Sequence, residues 1–252
     1  MVYRAKEEKG GDVMLSVRLL AGIEGLLFGV SMFFFVLDGN GGPEGLRSRQ
    51  IYHRESQRYH SVTEDPSERF FSEYPGMIGH LEVEGTRIDY PVMRDRTDSN
   101  GSYFYLTHNF RGETDYAGCP FIRRSASLDD DIIEIFAHNN SNGTMFADLS
   151  LFENEDFFME HGDISFDTEE GQRTYEVISV LDVDVPSEVF SFFGWSNFDG
   201  ESRELEFLRQ ISEAAVVENC DGYETGNQYL LLVTCEYSHV NGRRVVVAVR
   251  TS

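Results

Sequence analysis

Two residues near the C-terminus have the types and spacing of a cysteine-based reactive site. Cys235 ends an apolar, β-prone run over residues 230–234, and Arg243 opens a second β-branched run after an Asn-Gly turn. The two runs predict a hairpin that places a thiol opposite a guanidinium. Because a nearby cation favours the thiolate, and the thiolate is the nucleophile in cysteine chemistry, the hairpin indicates a reactive site.

A histidine supplies the base that such a thiol requires. His138 follows another apolar run, residues 132–136, where the chain changes to Asn, Ser and Gly. A lone cysteine is often only a small buried hydrophobe, so the reactive interpretation of Cys235 depends on this partner. Two strand ends, one with Cys and one with His, are typical of an open site at the rim of a sheet or barrel.

The rest of the chain predicts a strand-rich scaffold for these residues. Residues 82–92 predict two short strands, and residues 116–122 and 132–136 predict one strand each. A hairpin is expected from residues 163–167 and 174–183 across a Glu-Glu-Gly turn, with a short helix at 145–149 and a longer one at 201–214. Many strands, few helices and no βαβ rhythm predict a mostly antiparallel barrel.

These residues resemble the sortase family, and within it the class B sortases. Leu232 and the pair Thr234-Cys235 match the family's TLxTC strand, Arg243 stands eight residues further on, and residues 136–139 resemble the YGH(N/H) strand end. Residues 85–92, 103–110 and 143–149 are similar to class B segments in the same order. The resemblance covers roughly residues 72–250, and the ordered set is far more specific than any one motif.

The resemblance implies a fold and a set of roles. The fold is a mostly β, eight-stranded sortase-type barrel with an N-terminal helical addition and a helix before the cysteine strand. Cys235 is then the nucleophile, His138 the general acid and base, and Arg243 the group that stabilises the oxyanion or holds the substrate. Arg244 is expected to point away, to solvent or to a surface acid, because adjacent strand residues face opposite sides.

This sequence also departs from the family pattern at several positions. Ala137 replaces a glycine, His80 stands where a tryptophan is frequent, and Arg123 falls where many class B enzymes carry an acid, which argues against an auxiliary acid there. Leu231 and Val233 replace the threonine and the common serine of the cysteine strand. The cysteine, histidine and arginine are all present.

Composition excludes some classes of partner and cofactor. A net charge of −23 argues against nucleic acid, because phosphate binding needs a basic surface. Of the three cysteines, Cys119 is expected to pack in the core and Cys220 to be a loop thiol beside acids; a bridge between them is left open. No CxxC or HxxxH spacing is present, so neither a metal nor a cofactor is expected.

The N-terminus predicts attachment to a membrane. An apolar run over residues 19–37 would reach about 28 Å as a helix, close to the thickness of a hydrocarbon core. We divide the chain into a cytoplasmic segment (1–18), a transmembrane anchor (19–37), a linker or helical stalk (38–71) and a catalytic domain (72–252). Residues 46–59 are polar enough for an exposed helix. Basic residues flank the apolar run on both sides, so the orientation with the catalytic domain outside the cell follows from the resemblance.

The expected function is that of a single-pass cysteine transpeptidase of the cell membrane in a Gram-positive type of envelope. Its partners would be the sorting-signal peptide of a surface protein and an amine of a peptidoglycan precursor or a pilin. Two alternatives stay open: a thiol protease that uses water as the acceptor, and a catalytically silent barrel that binds peptides. The sequence specifies neither the signal nor the amine.

Overall fold

The computed structural model describes residues 42–61, 66–97, 103–184, 194–219, 225–237 and 242–252. None of the helices in these ranges has both the length and the apolar character needed to span a membrane. The predicted anchor at residues 19–37 lies outside the described residues.

Eight of the strands in the described part of the chain form a closed barrel. The strands are β1 (Met77–Val83), β2 (Asp89–Arg94), β3 (Phe121–Ile122), β4 (Ile132–Phe136), β5 (Asp163–Thr168), β6 (Gly171–Asp184), β7 (Ala215–Glu218), β8 (Tyr229–Cys235) and β9 (Gly242–Arg250). The order around the ring is β5-β1-β2-β3-β4-β8-β9-β6, and the β5–β6 pairing closes it. β7 adds to β6 outside the ring. The pairs β2–β3 and β4–β8 are parallel and the other six pairings of the ring are antiparallel, so the predicted mostly antiparallel barrel is confirmed.

The central strands are covered on both faces. All seven residues of β8 are buried, as are all five of β4 and eight of the nine residues of β9. The 3₁₀ helix Phe146–Glu153 contacts both β8 and β9. Continuous apolar runs, rather than alternating ones, are what strands buried on both faces require.

Four α-helices in the described ranges accompany the barrel: α1 (Pro43–His60), α2 (Pro66–Glu73), α3 (Glu155–Glu160) and α4 (Glu201–Ala214). Proline at its first position helps to begin α1, since the missing N–H has no helical partner there. One stripe of α1 is buried at helical spacing: Gly45, Ser48, Tyr52, Glu55 and Tyr59. The expectation of an exposed helix is therefore wrong on this side, because its tyrosines pack into the core.

Most of the predicted elements are confirmed, and two differ. The hairpins β5–β6 and β8–β9 and helix α4 lie where the sequence predicts them. The strand expected at 116–122 shrinks to Phe121–Ile122, because Gly118 has a φ of +70° and Pro120 has no N–H to pair. The short strand β7, which follows α4 directly, is not predicted by the sequence pattern.

Candidate active site

The β8–β9 hairpin places Cys235 opposite Arg243. The two residues are register partners in the antiparallel pair, at the last residue of β8 and the second residue of β9. Both are buried, with 5% and 3% of their surface exposed. Arg243 Nη1 donates to the carbonyl of Gly242 at 2.8 Å, which folds the guanidinium back along the strand end. The thiol and the cation predicted from sequence therefore lie at the same rim of the barrel.

His138 reaches the same rim through the parallel pairing of β4 with β8. The register runs from Ile132 opposite Tyr229 to Phe136 opposite Val233, so its continuation brings His138 level with Cys235. Just beyond the end of β4, the carbonyl of Ala137 accepts a hydrogen bond from the Thr234 hydroxyl at 2.8 Å. The Asn139 side chain donates to the Cys235 carbonyl at 2.9 Å. These bonds hold the two chain segments together at the height of the thiol and the imidazole.

The imidazole of His138 has one nitrogen committed and one available. Nε2 lies 2.8 Å from the carbonyl oxygen of Leu106, and a carbonyl only accepts, so Nε2 carries the proton in the neutral ring. Nδ1 is buried and has no hydrogen-bond partner among the described residues. The lone pair of a neutral His138 is therefore on Nδ1, which is the atom able to accept a proton.

Burial shifts the pKa values of Cys235 and His138 in opposite directions. Desolvation raises the pKa of the Cys235 thiol, and the Arg243 charge opposes that rise without reversing it. Desolvation also lowers the pKa of His138, against the bond to Leu106, which favours the protonated ring. The Arg243 charge therefore favours the thiolate as expected, while burial favours the neutral thiol and the neutral imidazole, because desolvation disfavours the charged forms.

A glycine packed against the ring fixes the position of His138. At Gly118, with a φ of +70°, a Cβ atom would lie 3.0 Å from His138 Cδ2 and 3.2 Å from the Leu106 carbonyl oxygen. It would also lie 2.8 Å from the carbonyl oxygen of Tyr105. Only glycine combines this backbone conformation with this contact, so the loop that carries it forms one wall of the histidine's site.

Helix α1 supports that loop from behind. The Tyr52 hydroxyl donates to the carbonyl oxygen of Gly118, and the Ser48 hydroxyl donates to an Asp115 carboxylate oxygen at 2.6 Å. Sequence reasoning missed these supporting residues, because nothing in their spacing links them to His138. The one signal that could have found the loop is Gly118 within an otherwise β-prone segment.

The neighbouring arginines are engaged elsewhere. Arg244 forms two hydrogen bonds with the Asp182 carboxylate, at 2.9 and 2.8 Å, and also pairs with Glu153. The prediction that it points away from the site to an acid is confirmed. Arg123 pairs with Glu134 at 2.8 Å. It thus meets an acid of the adjacent strand β4.

Cys119 does not join the site. Cys119 is a buried free cysteine whose Sγ lies 3.4 Å from the Pro91 carbonyl, and burial raises its pKa. The prediction that Cys119 packs in the core is confirmed. Cys220 lies outside the described residues.

Comparison with known proteins decides the family of this arrangement. The family model described as the sortase domain matches residues 81–251, which include Cys235, His138 and Arg243. The chain belongs to the sortase family. It is 26% identical over 174 residues to sortase B of Listeria monocytogenes, covering 68% of each protein.

Solved sortase B structures share the fold. Sortase B of Clostridium perfringens is 28% identical, with a TM-score of 0.65, covering 73% of this chain and 99% of the other. The Staphylococcus aureus sortase B–substrate complex has a TM-score of 0.71 at 21% identity, covering 84% and 99%. The class B resemblance and the eight-stranded barrel are both confirmed. Sortases are cysteine transpeptidases, and at the level of the family this sortase is an enzyme of that kind.

Proposed function

We propose that this sortase cleaves a sorting signal through a thioacyl-enzyme on Cys235 and transfers the acyl group to an amine. The observation that carries the proposal is that Cys235 of β8, Arg243 of β9 and His138, which follows β4, lie level at one rim of the barrel. The orientation of His138 supports it further, because Nε2 is committed to Leu106 and the basic Nδ1 is left for chemistry.

In the first step, His138 Nδ1 takes the proton of the Cys235 thiol and Sγ attacks the peptide carbonyl. The tetrahedral intermediate collapses as the C–N bond breaks, and the imidazolium returns its proton to the leaving amine. Protonating His138 strengthens the Nε2–H bond to the Leu106 carbonyl, because that donor becomes part of a cation. The carbonyl thus stabilises the ring in the state that acts as the acid.

In the second step, an amine replaces the peptide that has left. Its nitrogen attacks the thioester carbon, and its proton passes to His138 Nδ1. Collapse of this second intermediate breaks the C–S bond, and the thiolate takes the proton back from the ring. The product is a new amide, and the neutral Cys235–His138 pair is regenerated.

Arg243 provides the positive charge of the site. As the register partner of Cys235, it is placed to meet the oxygen of the carbonyl that the sulfur attacks. A fixed guanidinium in a buried position stabilises an oxyanion far better than water does, since it needs no reorganisation during the reaction. Its charge also opposes the rise in the Cys235 pKa, which favours the thiolate once the proton moves.

The proposed partners are the sorting-signal peptide of a surface protein and an amine of a peptidoglycan precursor or a pilin. One solved sortase B is described as a complex with substrate and another as a complex with triglycine. A peptide carbonyl and a primary amine are also the two reactants that the Cys-His chemistry requires.

We also propose that residues 19–37 anchor the protein in the cell membrane as a single span, with the barrel outside the cytoplasm. The apolar run and the extracytoplasmic substrates of the proposed reaction support this. Extraction of washed membranes with carbonate tests it. The protein should stay with the membranes, and a variant lacking residues 19–37 should be released.

The activity is tested with the full chain and a panel of quenched sorting-signal peptides, with and without amine nucleophiles. Cys235→Ala is the inactive variant, and Cys119→Ala is the matched control, because Cys119 is a buried thiol outside the site. Cleavage that needs Cys235, survives Cys119→Ala and gives an amine-linked product supports the transpeptidase.

Two other results would change the conclusion. Cleavage that depends on Cys235 but gives only the hydrolysed peptide at every amine concentration would favour a thiol protease. A folded protein that forms no thioacyl adduct with any peptide, as judged by intact mass, would favour a peptide-binding barrel.

A further inference from the structure

A second cluster of reactive side chains lies away from the thiol, where α1 meets β1 and β2. His60 is the last residue of α1, His80 lies in β1, and Asp89 opens β2. His60 Nε2 is 3.0 Å from Asp89 Oδ2, and His80 Nε2 is 2.5 Å from Asp89 Oδ1. One donor atom from each residue lies within 4.8 Å of the other two, so three potential ligands converge on one point.

The surroundings hold these groups in place. His80 is buried, with 3% of its surface exposed, and its ring stacks on Tyr59 with centroids 3.7 Å apart and planes 8° from parallel. The Ser56 hydroxyl donates to Asp89 Oδ2 at 2.6 Å. A hydrogen-bonded carboxylate and an imidazole of fixed plane are what a preorganised metal site requires of its supporting residues.

Two imidazoles and one carboxylate form the donor set of a Zn²⁺ site that keeps one position for water. With bond lengths of about 2.0–2.2 Å, two ligand atoms at a tetrahedral angle lie about 3.3 Å apart. The distance between His60 Nε2 and Asp89 Oδ2 is already near this value. His80 Nε2 and Asp89 Oδ1 must move apart by under about 1 Å to reach it. His80 is held by its stack on Tyr59, whereas the Asp89 side chain is 24% exposed, so rotation of the Asp89 carboxylate supplies this movement.

A cation can reach the cluster from solvent. Ser56 and Asp89 line an open groove between α1 and the barrel, together with His53, Thr86 and Tyr90. No spacing motif predicts this site, because its residues come from three elements and are separated by 20 and 9 positions.

We propose that His60, His80 and Asp89 bind a divalent transition-metal cation of the Zn²⁺ type, with water as the fourth ligand. The metal ties the end of α1 to β1 and β2. Since α1 carries Tyr52, which supports the loop beside His138, the metal stabilises the helix on which the site depends. The metal takes no part in the transfer reaction.

The test uses the full chain carrying Cys235→Ala, because the catalytic thiol would itself bind zinc. After dialysis against EDTA, Zn²⁺ is titrated by calorimetry and thermal unfolding is followed. One Zn²⁺ should bind per chain. The midpoint temperature of thermal unfolding should rise by about 5–10 °C when the free Zn²⁺ concentration is about 100 Kd. Mg²⁺ should give no shift, because it prefers oxygen ligands.

Variants on one helix separate ligation from non-specific binding. His60→Ala should weaken Zn²⁺ binding by more than about 100-fold, which exceeds what loss of a supporting partner costs, and should abolish the thermal shift. His53→Ala is the matched control, because it removes an exposed histidine of α1 whose Nε2 contacts Gln57. This variant should keep both the affinity for Zn²⁺ and the thermal shift. An absent Zn²⁺ shift, or an equal shift in His60→Ala, would overturn the proposal. Zn²⁺ affinity and the thermal shift are both measured without transpeptidation, so the proposed function can fail without affecting the metal-site proposal.

Discussion

Replacing Gly118 with alanine tests whether its loop fixes the histidine. The added methyl would lie 3.0 Å from His138 Cδ2 and 3.2 Å from the Leu106 carbonyl oxygen that holds Nε2. It would thus press on both partners of the bond that sets the tautomer. To reach ordinary contact distance the ring must move by about 0.4–1 Å, and a displacement of about 1 Å in catalytic geometry can cost about 100-fold.

The substitution also has a cost unrelated to the site. An alanine at positive φ loses about 1–2 kcal/mol, and the contacts of Gly118 add about 1–3 kcal/mol of overpacking. Gly226→Ala is the matched control: its φ is +92°, no atom of the described residues lies within 4 Å of its Cβ position, and it precedes β8 at the end opposite Cys235. It measures the backbone cost alone.

The assay is the kcat/KM for cleavage of the peptide that the panel identifies, with urea unfolding of each variant. Gly118→Ala should lower kcat/KM by about 10- to 100-fold at temperatures where it is fully folded. Gly226→Ala should lose stability and keep its activity. If folded Gly118→Ala cleaves at the rate of Gly226→Ala, the loop does not position His138 and the reasoning is refuted.

Three further predictions concern residues around the site. Arg243→Gln should raise the pH at which iodoacetamide alkylates half of Cys235, because it removes the charge that opposes the rise in the thiol pKa. Mass spectrometry of the Cys235 peptide measures the alkylation, and an unchanged pH profile would contradict the electrostatic pairing of Arg243 with Cys235. Tyr52→Phe should lower the free energy of unfolding in urea by about 1 kcal/mol, since it leaves the Gly118 carbonyl without the tyrosine donor. It should also slow cleavage several-fold, and unaltered cleavage would mean that α1 does not support the active site. Arg244→Met should lower the free energy of unfolding in urea by about 2 kcal/mol, because it removes the ion pairs with Asp182 and Glu153. Its kcat/KM should be unchanged, because those partners lie away from the thiol, and a large loss of activity would show that Arg244 contributes to the active site.

Local patterns predict much of the fold because they depend on near neighbours in the chain. Helix α4 has the bounds Glu201–Ala214 that its spacing predicts, and the β5–β6 hairpin forms across its Glu-Glu-Gly turn. Strand β3 differs, because Gly118 and Pro120 act against an apolar run that otherwise favours a longer strand. Helix α1 is predicted as a helix, but its buried face depends on a barrel that local spacing does not describe.

The sequence by itself predicts a hairpin that places a thiol opposite one of two adjacent arginines, because neighbouring strand residues face opposite sides. The resemblance to the sortases favours Arg243, and the register of β8 with β9 agrees with it. The sequence also determines the family, through motifs in order along the chain. Only the tertiary structure decides that His138, 97 residues earlier, lies level with Cys235, because that follows from the parallel register of β4 with β8. Burial and the orientation of the imidazole are decided there too. Both depend on atoms from distant segments, such as the carbonyl of Leu106, which lies 32 residues before His138 in the chain.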